Sequence, residues 1–178
     1  MSDTRAQVDH GAIALLADRD LYRAALAPIA KLVSVSATPE EFATQFSSVG
    51  EPQALLLAAW WCQVEVCNGG FYQFFENPTG ILAPEAQRAF DFLAIENVAD
   101  VVARAISLFG SHYPRERDVR LSALKGLELP GTKRQDRDPF SALDQEFYAH
   151  TGTGEFPVQV AAFIRQNEEM FFRLPTVH

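Results

Sequence analysis

Apolar residues recur along much of the chain at three- and four-residue intervals. Val98, Val101, Val102, Ala105, Ile106 and Phe109 fall on one stripe with Asp100, Arg104 and Ser107 opposite, the pattern of a helix laid against a core. Phe140, Leu143 and Phe147 form a narrower stripe, and Val160, Ile164 and Phe171 another. No segment sustains strict apolar–polar alternation with β-branched enrichment, so no sheet is predicted. The nearest approach to a strand, Ala30 to Val35, reads as a helix end. The stretch from Pro52 to Asn68 is different. Leu55, Leu56, Leu57, Trp60, Val64 and Val66 cover every side of it, and only Gln63 and Glu65 interrupt. A helix apolar all round is a buried one, so residues 52–68 should form a central helix.

Punctuation agrees with this pattern. Pro39, Pro52, Pro84, Pro114, Pro139 and Pro157 each precede helical periodicity, and proline at the first helical position sacrifices no hydrogen bond. Thr38 and Glu41 have the spacing of a capping box, and Asp138 is a second N-cap candidate. Gly50, Gly69-Gly70, Gly110 and Gly152 follow helical stretches, where left-handed residues are often required. The prediction is one all-α domain over residues 1–178, with about seven or eight helices around the central one. The first eight or so residues and the stretch 129–137 read as loose.

Composition narrows the function classes. The net charge of -8 disfavours direct binding to nucleic acid or anionic lipid. The longest apolar run is far short of the ~20 residues that cross a bilayer. The N-terminus lacks the pattern of a secretory signal. Cys62 and Cys67 point to different sides of a helix, read as buried thiols, and cannot form a disulfide scaffold. The expectation is a cytoplasmic protein. Acidity concentrates in residues 36–104, where nine acidic side chains face two arginines, while Arg115 to Arg137 is a small basic island.

Catalytic and metal signatures are missing from the sequence. His10, His112, His150 and His178 are scattered, and there is no HExxH, paired-cysteine, nucleophile-elbow or phosphate-loop pattern. No cofactor or metal is expected. The densest polar constellation runs Glu65-Val66-Cys67-Asn68-Gly69-Gly70-Phe71-Tyr72-Gln73-Phe74-Phe75-Glu76-Asn77. It reads as a helix end, a two-glycine break with Asn68 or Gly69 left-handed, and a short aromatic helix. Glu65, beside Trp61 and Ala58, should be buried and held by the free backbone N–H groups after the break.

That constellation, followed by Gly80, resembles the signature of a bacterial domain family named for a DNA-mimic protein. The similarity extends through Glu85-Ala86, Ala89-Phe90, Val101 to Phe109, Pro114, Arg120, Leu143-Asp144 and Phe147-Tyr148, covering roughly residues 50–172. Ala94 stands where the family usually has glycine. The resemblance implies an all-α fold, frequent dimers and no known catalysis. For part of the family it also implies surface carboxylates that imitate DNA phosphates and occupy a basic DNA-binding protein. Glu65, Asn68, Gly69, Gly70, Phe71, Gln73 and Asn77 are then structural.

Three functions follow as expectations. The first is a non-enzymatic acidic domain whose face of Glu76, Glu85, Asp91, Glu96 and Asp100 binds a basic partner. Arg88 and Arg104 would neutralise neighbours three or four residues away. The second is a ligand-binding or enzymatic domain using Glu65, Asn68 and Gln73 near the glycine break. The third is a general interaction or protective module. A homodimer through Phe92, Phe163 and Met170, which lie off the main stripes, is a further expectation.

Overall fold

The computed structural model describes residues 6–7, 10–131, 133–151 and 154–173. Helices α1 (His10–Leu15), α2 (Asp18–Leu26) and α3 (Pro39–Ser48) lead into the long α4 (Glu51–Glu76). A 3₁₀ turn over Pro78–Leu82 follows, then α5 (Ala83–Phe92), α6 (Glu96–Ser107), α7 (Arg117–Leu127) and the short α8 (Arg134–Arg137). Helices α9 (Ser141–Thr151), α10 (Glu155–Gln166) and α11 (Glu168–Phe171) complete the chain. The all-α expectation holds, with eight helices of seven residues or more among the described residues. A two-residue parallel pairing, Ala6 opposite Phe172 and Gln7 opposite Arg173, ties β1 (Ala6–Gln7) to β2 (Phe172–Arg173).

The start signals act as the local chemistry predicts at several positions. Thr38 Oγ1 accepts from the Glu41 N–H at 3.3 Å, while the Glu41 carboxylate accepts from the Thr38 N–H at 3.1 Å. Pro39, Pro52 and Pro84 lie in first turns. Pro114 does not open a helix: α7 begins at Arg117, and the Pro114 and Arg115 carbonyls instead accept hydrogen bonds from Arg120. Asp138 does cap locally, its Oδ1 accepting from the Phe140 N–H at 2.8 Å, and the helix itself starts at Ser141. Ala30 to Val35 is neither strand nor helix end but a succession of turns. The 129–137 stretch is less loose than its composition suggests, because the Leu129 N–H bonds the Arg137 carbonyl at 2.9 Å around α8. Gly152 and residues 1–5 and 8 lie outside the described residues.

Helix α4 is the hub. It packs on α2, α3, α5, α7, α9 and α11, which explains why it carries apolar side chains all round. Phenylalanines fill the space around its second half: Phe75 lies 4.9 Å from Phe109 and 5.1 Å from Phe140, and Phe71 5.3 Å from Phe147, centroid to centroid. Edge-to-face and tilted pairs of this kind add to the area they bury. Phe92 and Phe163 meet each other at 5.2 Å, and Phe163 also meets Phe171. Both rings stay half-buried despite these contacts, and Met170 is exposed.

The α5–α6 connection contains a strained residue. The Ala94 N–H bonds the Asp91 carbonyl and the Ile95 N–H the Phe90 carbonyl, the two bonds of a Schellman ending, and this sets Ala94 at φ 57°. Left-handed backbone costs an L-residue about 1–2 kcal/mol, a penalty glycine escapes. Ala94→Gly should therefore raise stability by about 1 kcal/mol, read as a higher urea midpoint with an unchanged slope.

Candidate functional site

The glycine break lies inside α4, and its geometry is specific. Gly69 is extended at φ -163°, and the left-handed position falls on Gly70 (φ 76°, ψ 178°), not on Asn68 or Gly69 as the sequence reading had it. The break interrupts the helical ladder and frees backbone groups on both sides, which must be paired elsewhere. Helix α9 supplies those partners from one face. Asp144 Oδ1 accepts from the Phe71 N–H at 2.7 Å, and the Tyr148 hydroxyl donates to the Val66 carbonyl at 3.0 Å. Thr151, one turn further, places its hydroxyl 3.7 Å from the Cys67 sulfur. Only Cys62 is the buried thiol expected; Cys67 is exposed.

Burial pushes the Asp144 carboxyl from 3.8 up to about 6, against the opposing hydrogen bond from Phe71 and with a further push from Asp138. The folded protein therefore holds a proton between pH 4 and 6 that the unfolded chain has already released. Stability contributed here is present at low pH and falls as pH rises through that window. Asp144→Asn keeps an acceptor for Phe71 and removes the titration. Unfolding free energies in urea from pH 4.5 to 7.5 should show the wild type losing about 1–2 kcal/mol relative to the variant, levelling off above pH 6–7.

Glu65 is buried as expected, but its donors are different. Gln73 Nε2 donates at 2.9 Å, Asn77 Nδ2 at 2.8 Å and Thr79 Oγ1 at 2.9 Å. The backbone N–H after the break is already taken by Asp144, so three side chains from beyond the break close on Glu65 instead. This set staples the first half of α4 to the short aromatic segment and the 3₁₀ turn. Asn68 is exposed and stands apart from it. Both carboxylate oxygens of Glu65 are engaged within the chain, which holds the junction together. Glu65→Ala strands three partly or fully buried donors and should cost about 2–3 kcal/mol in chemical denaturation, and Glu65→Gln less.

Arg120 anchors the far end of the same segment; the sequence reading placed it within the family resemblance but gave it no role. It is 1 % exposed. Its Nε donates to the Phe75 carbonyl at 2.8 Å, one terminal nitrogen to Asn77 at 3.1 Å, and the other to Arg115 at 2.8 Å and Pro114 at 3.3 Å. The guanidinium thus caps the last carbonyls of α4, where a cation is also favoured by the helix dipole. Its spacing from Leu124 and Leu127 puts it on the buried stripe of α7, and an arginine there was the available signal.

The predicted acidic face is only partly assembled. Glu85 is buried and held by Arg115 through two bonds of 2.7 and 2.8 Å, so it drops out. Arg88 pairs with Glu51 at 2.8 Å and with neither Glu85 nor Asp91. Glu76 is half-buried in a separate hollow with Tyr72, Glu128 and Arg137. Asp91 is exposed at the end of α5. Glu96 and Asp100 are exposed one turn apart on α6, and the fold adds two acids that the sequence did not place there. Glu155 lines a hollow of about 280 Å³ with Glu96 and His150, and Arg104 joins Asp100 to Glu146 of α9. The hydrogen bond from Arg104 holds the Glu146 carboxyl below its ordinary range. Four carboxylates from α6, α9 and α10 thus form one band, with Arg104 and His150 set among them.

Among the described residues no helix is long and apolar enough to cross a membrane, and no group of His, Cys, Asp and Glu has the arrangement of a metal site. No curated protein and no solved structure matches the chain. Residues 47–167, from the end of α3 to just past α10, match the DMP19-like protein family, a span that contains the glycine break, the Glu65 staple, Arg120 and the α9 clamp. On that match, the chain belongs to the DMP19-like family.

Proposed function

We propose that the protein is a non-enzymatic acidic binding domain that acts as a DNA mimic, occupying the nucleic-acid site of a basic DNA-binding protein. The observation that carries this reading is the band of Glu155, Glu96, Asp100 and Glu146. Duplex DNA presents about one negative charge per 1.7 Å of axis, so a mimic requires closely set carboxylates on a rigid support with few cations between them. Three packed helices provide that support, and Arg104 fixes two of the acids in place rather than screening all four. The family match is compatible with the same role. Such a surface would steer a basic partner and compete for its phosphate contacts, with an affinity that falls as salt rises.

The test uses proteins of the native host retained on an immobilised DNA duplex. Wild-type protein should release a specific basic protein at low salt and lose that power at high salt. The pair Glu96→Lys and Glu155→Lys should release it poorly while staying folded, with a thermal midpoint a few degrees lower, because both side chains are exposed but open α6 and α10. Release that is equally strong with the charge-reversed protein, or no release at all, refutes mimicry through this band.

A further inference from the structure

A cavity of about 380 Å³ lies on a different part of the molecule, between the start of α3 and the segment that enters α7. Val35, Pro39, Pro78 and Ile81 supply apolar walls, and Arg115, Arg117 and Arg120 line the same space. Three guanidiniums on one cavity are unexpected in a chain of net charge -8. Glu116 is the carboxylate that shares the lining.

The three cations are not equivalent. Arg115 is neutralised by Glu85 through a two-bond pair. Arg120 hydrogen-bonds only to backbone carbonyls among the described residues, and the Glu116 carboxylate acts on its buried charge across space without bonding it. Arg117 is exposed and uses its Nε on the Glu76 carbonyl at 3.2 Å. That leaves its terminal amino groups for a ligand. Ser36 and Thr38 bring two hydroxyls to the cavity beside the ten-residue helix α3. With Glu116 set against one of the two remaining cations, Arg117 and the apolar wall match a ligand with an anionic head and a small apolar body. Guanidinium and phosphate oxygens are complementary in geometry as well as charge, and the volume lies within the range of small-molecule sites.

We propose that this cavity binds a small organic phosphate, with the phosphate against Arg117 and facing the buried charge of Arg120, and the apolar body against Val35, Pro39 and Ile81. The site is independent of the acidic band, so its failure would leave the mimic reading standing. The test is calorimetric titration of the full chain at fixed ionic strength with phenyl phosphate, inorganic phosphate and phenylacetate. Phenyl phosphate should bind one per chain, and inorganic phosphate about tenfold more weakly for want of the apolar contact. Arg117→Ala should weaken phenyl phosphate binding about tenfold or more. Lys125→Ala, which removes a cation of α7 outside the cavity, should leave it unchanged. No binding of phenyl phosphate at about 10 mM, or an Arg117→Ala protein that binds like the wild type, overturns the site. Phenylacetate binding as tightly as phenyl phosphate overturns the assignment to phosphate, and equal affinity for inorganic and phenyl phosphate overturns the role given to the apolar wall.

Discussion

Arg120→Met should destabilise the fold by about 4 kcal/mol, most of the stability of a marginal domain. Methionine fills much of the same volume, so the loss isolates the hydrogen bonds. Four carbonyls, of Phe75, Asn77, Pro114 and Arg115, would lose their donor at once. Each buried acceptor left unsatisfied costs about 1–3 kcal/mol, reduced where water can enter. Burial alone disfavours the cation, and desolvation pulls the guanidinium below its ordinary pKa. The carbonyls and the end of α4 offset that cost. Arg120→Lys keeps the charge but cannot span four carbonyls from one point, and about half the loss should remain. Guanidinium chloride denaturation of the two variants against wild type checks the order. A methionine variant within about 1 kcal/mol of wild type would mean that the junction is closed by other contacts.

This arginine also shows where sequence reasoning stopped. The helices, their caps and the central position of residues 52–68 were legible, because proline, capping pairs and all-round hydrophobicity are local signals. Gly69-Gly70 was legible as a break for the same reason. The partners that complete the break were not. Asp144 is 73 residues from Phe71, and nothing near Phe71 announces that its N–H is taken. With that donor claimed from α9, Glu65 turns to Gln73, Asn77 and Thr79, three polar side chains brought round by the kink. The backbone donors assigned to Glu65 from sequence were the right kind of group in the wrong hands.

Charge placement failed in a parallel way. Glu85 had Arg88 three residues away, yet it pairs with Arg115, thirty residues on, because its side of α5 faces the core. Glu146 and Glu155 join Glu96 and Asp100 only through the packing of α6 against α9 and the approach of α10. A face built from four residues on three helices has no sequence-local trace, whereas a pairing such as Arg104 with Asp100, four apart on one helix, does.

The glycine break yields the other large expected effect. Gly70→Ala should cost about 3–4 kcal/mol, from two sources that can be separated. The conformation at φ 76°, ψ 178° is one that only glycine occupies without strain, worth about 1–3 kcal/mol on its own. A Cβ there would also stand 2.9 Å from the Asp144 Cγ and closer still to its Oδ2. Asp144 cannot retreat freely, since it holds the Phe71 N–H. Gly69→Ala is the internal control. Its φ of -163° is open to any residue, and the added Cβ meets the Gln73 side chain, which can shift at the expense of its bond to Glu65; about 1 kcal/mol is expected. In the double variant Gly70→Ala, Asp144→Ala the steric part disappears and the backbone part remains. The two changes together should then cost less than the sum of their separate losses, by about 1–2 kcal/mol in a double-mutant cycle. Strict additivity would assign the whole penalty to backbone strain and remove Asp144 from the reason that glycine is required.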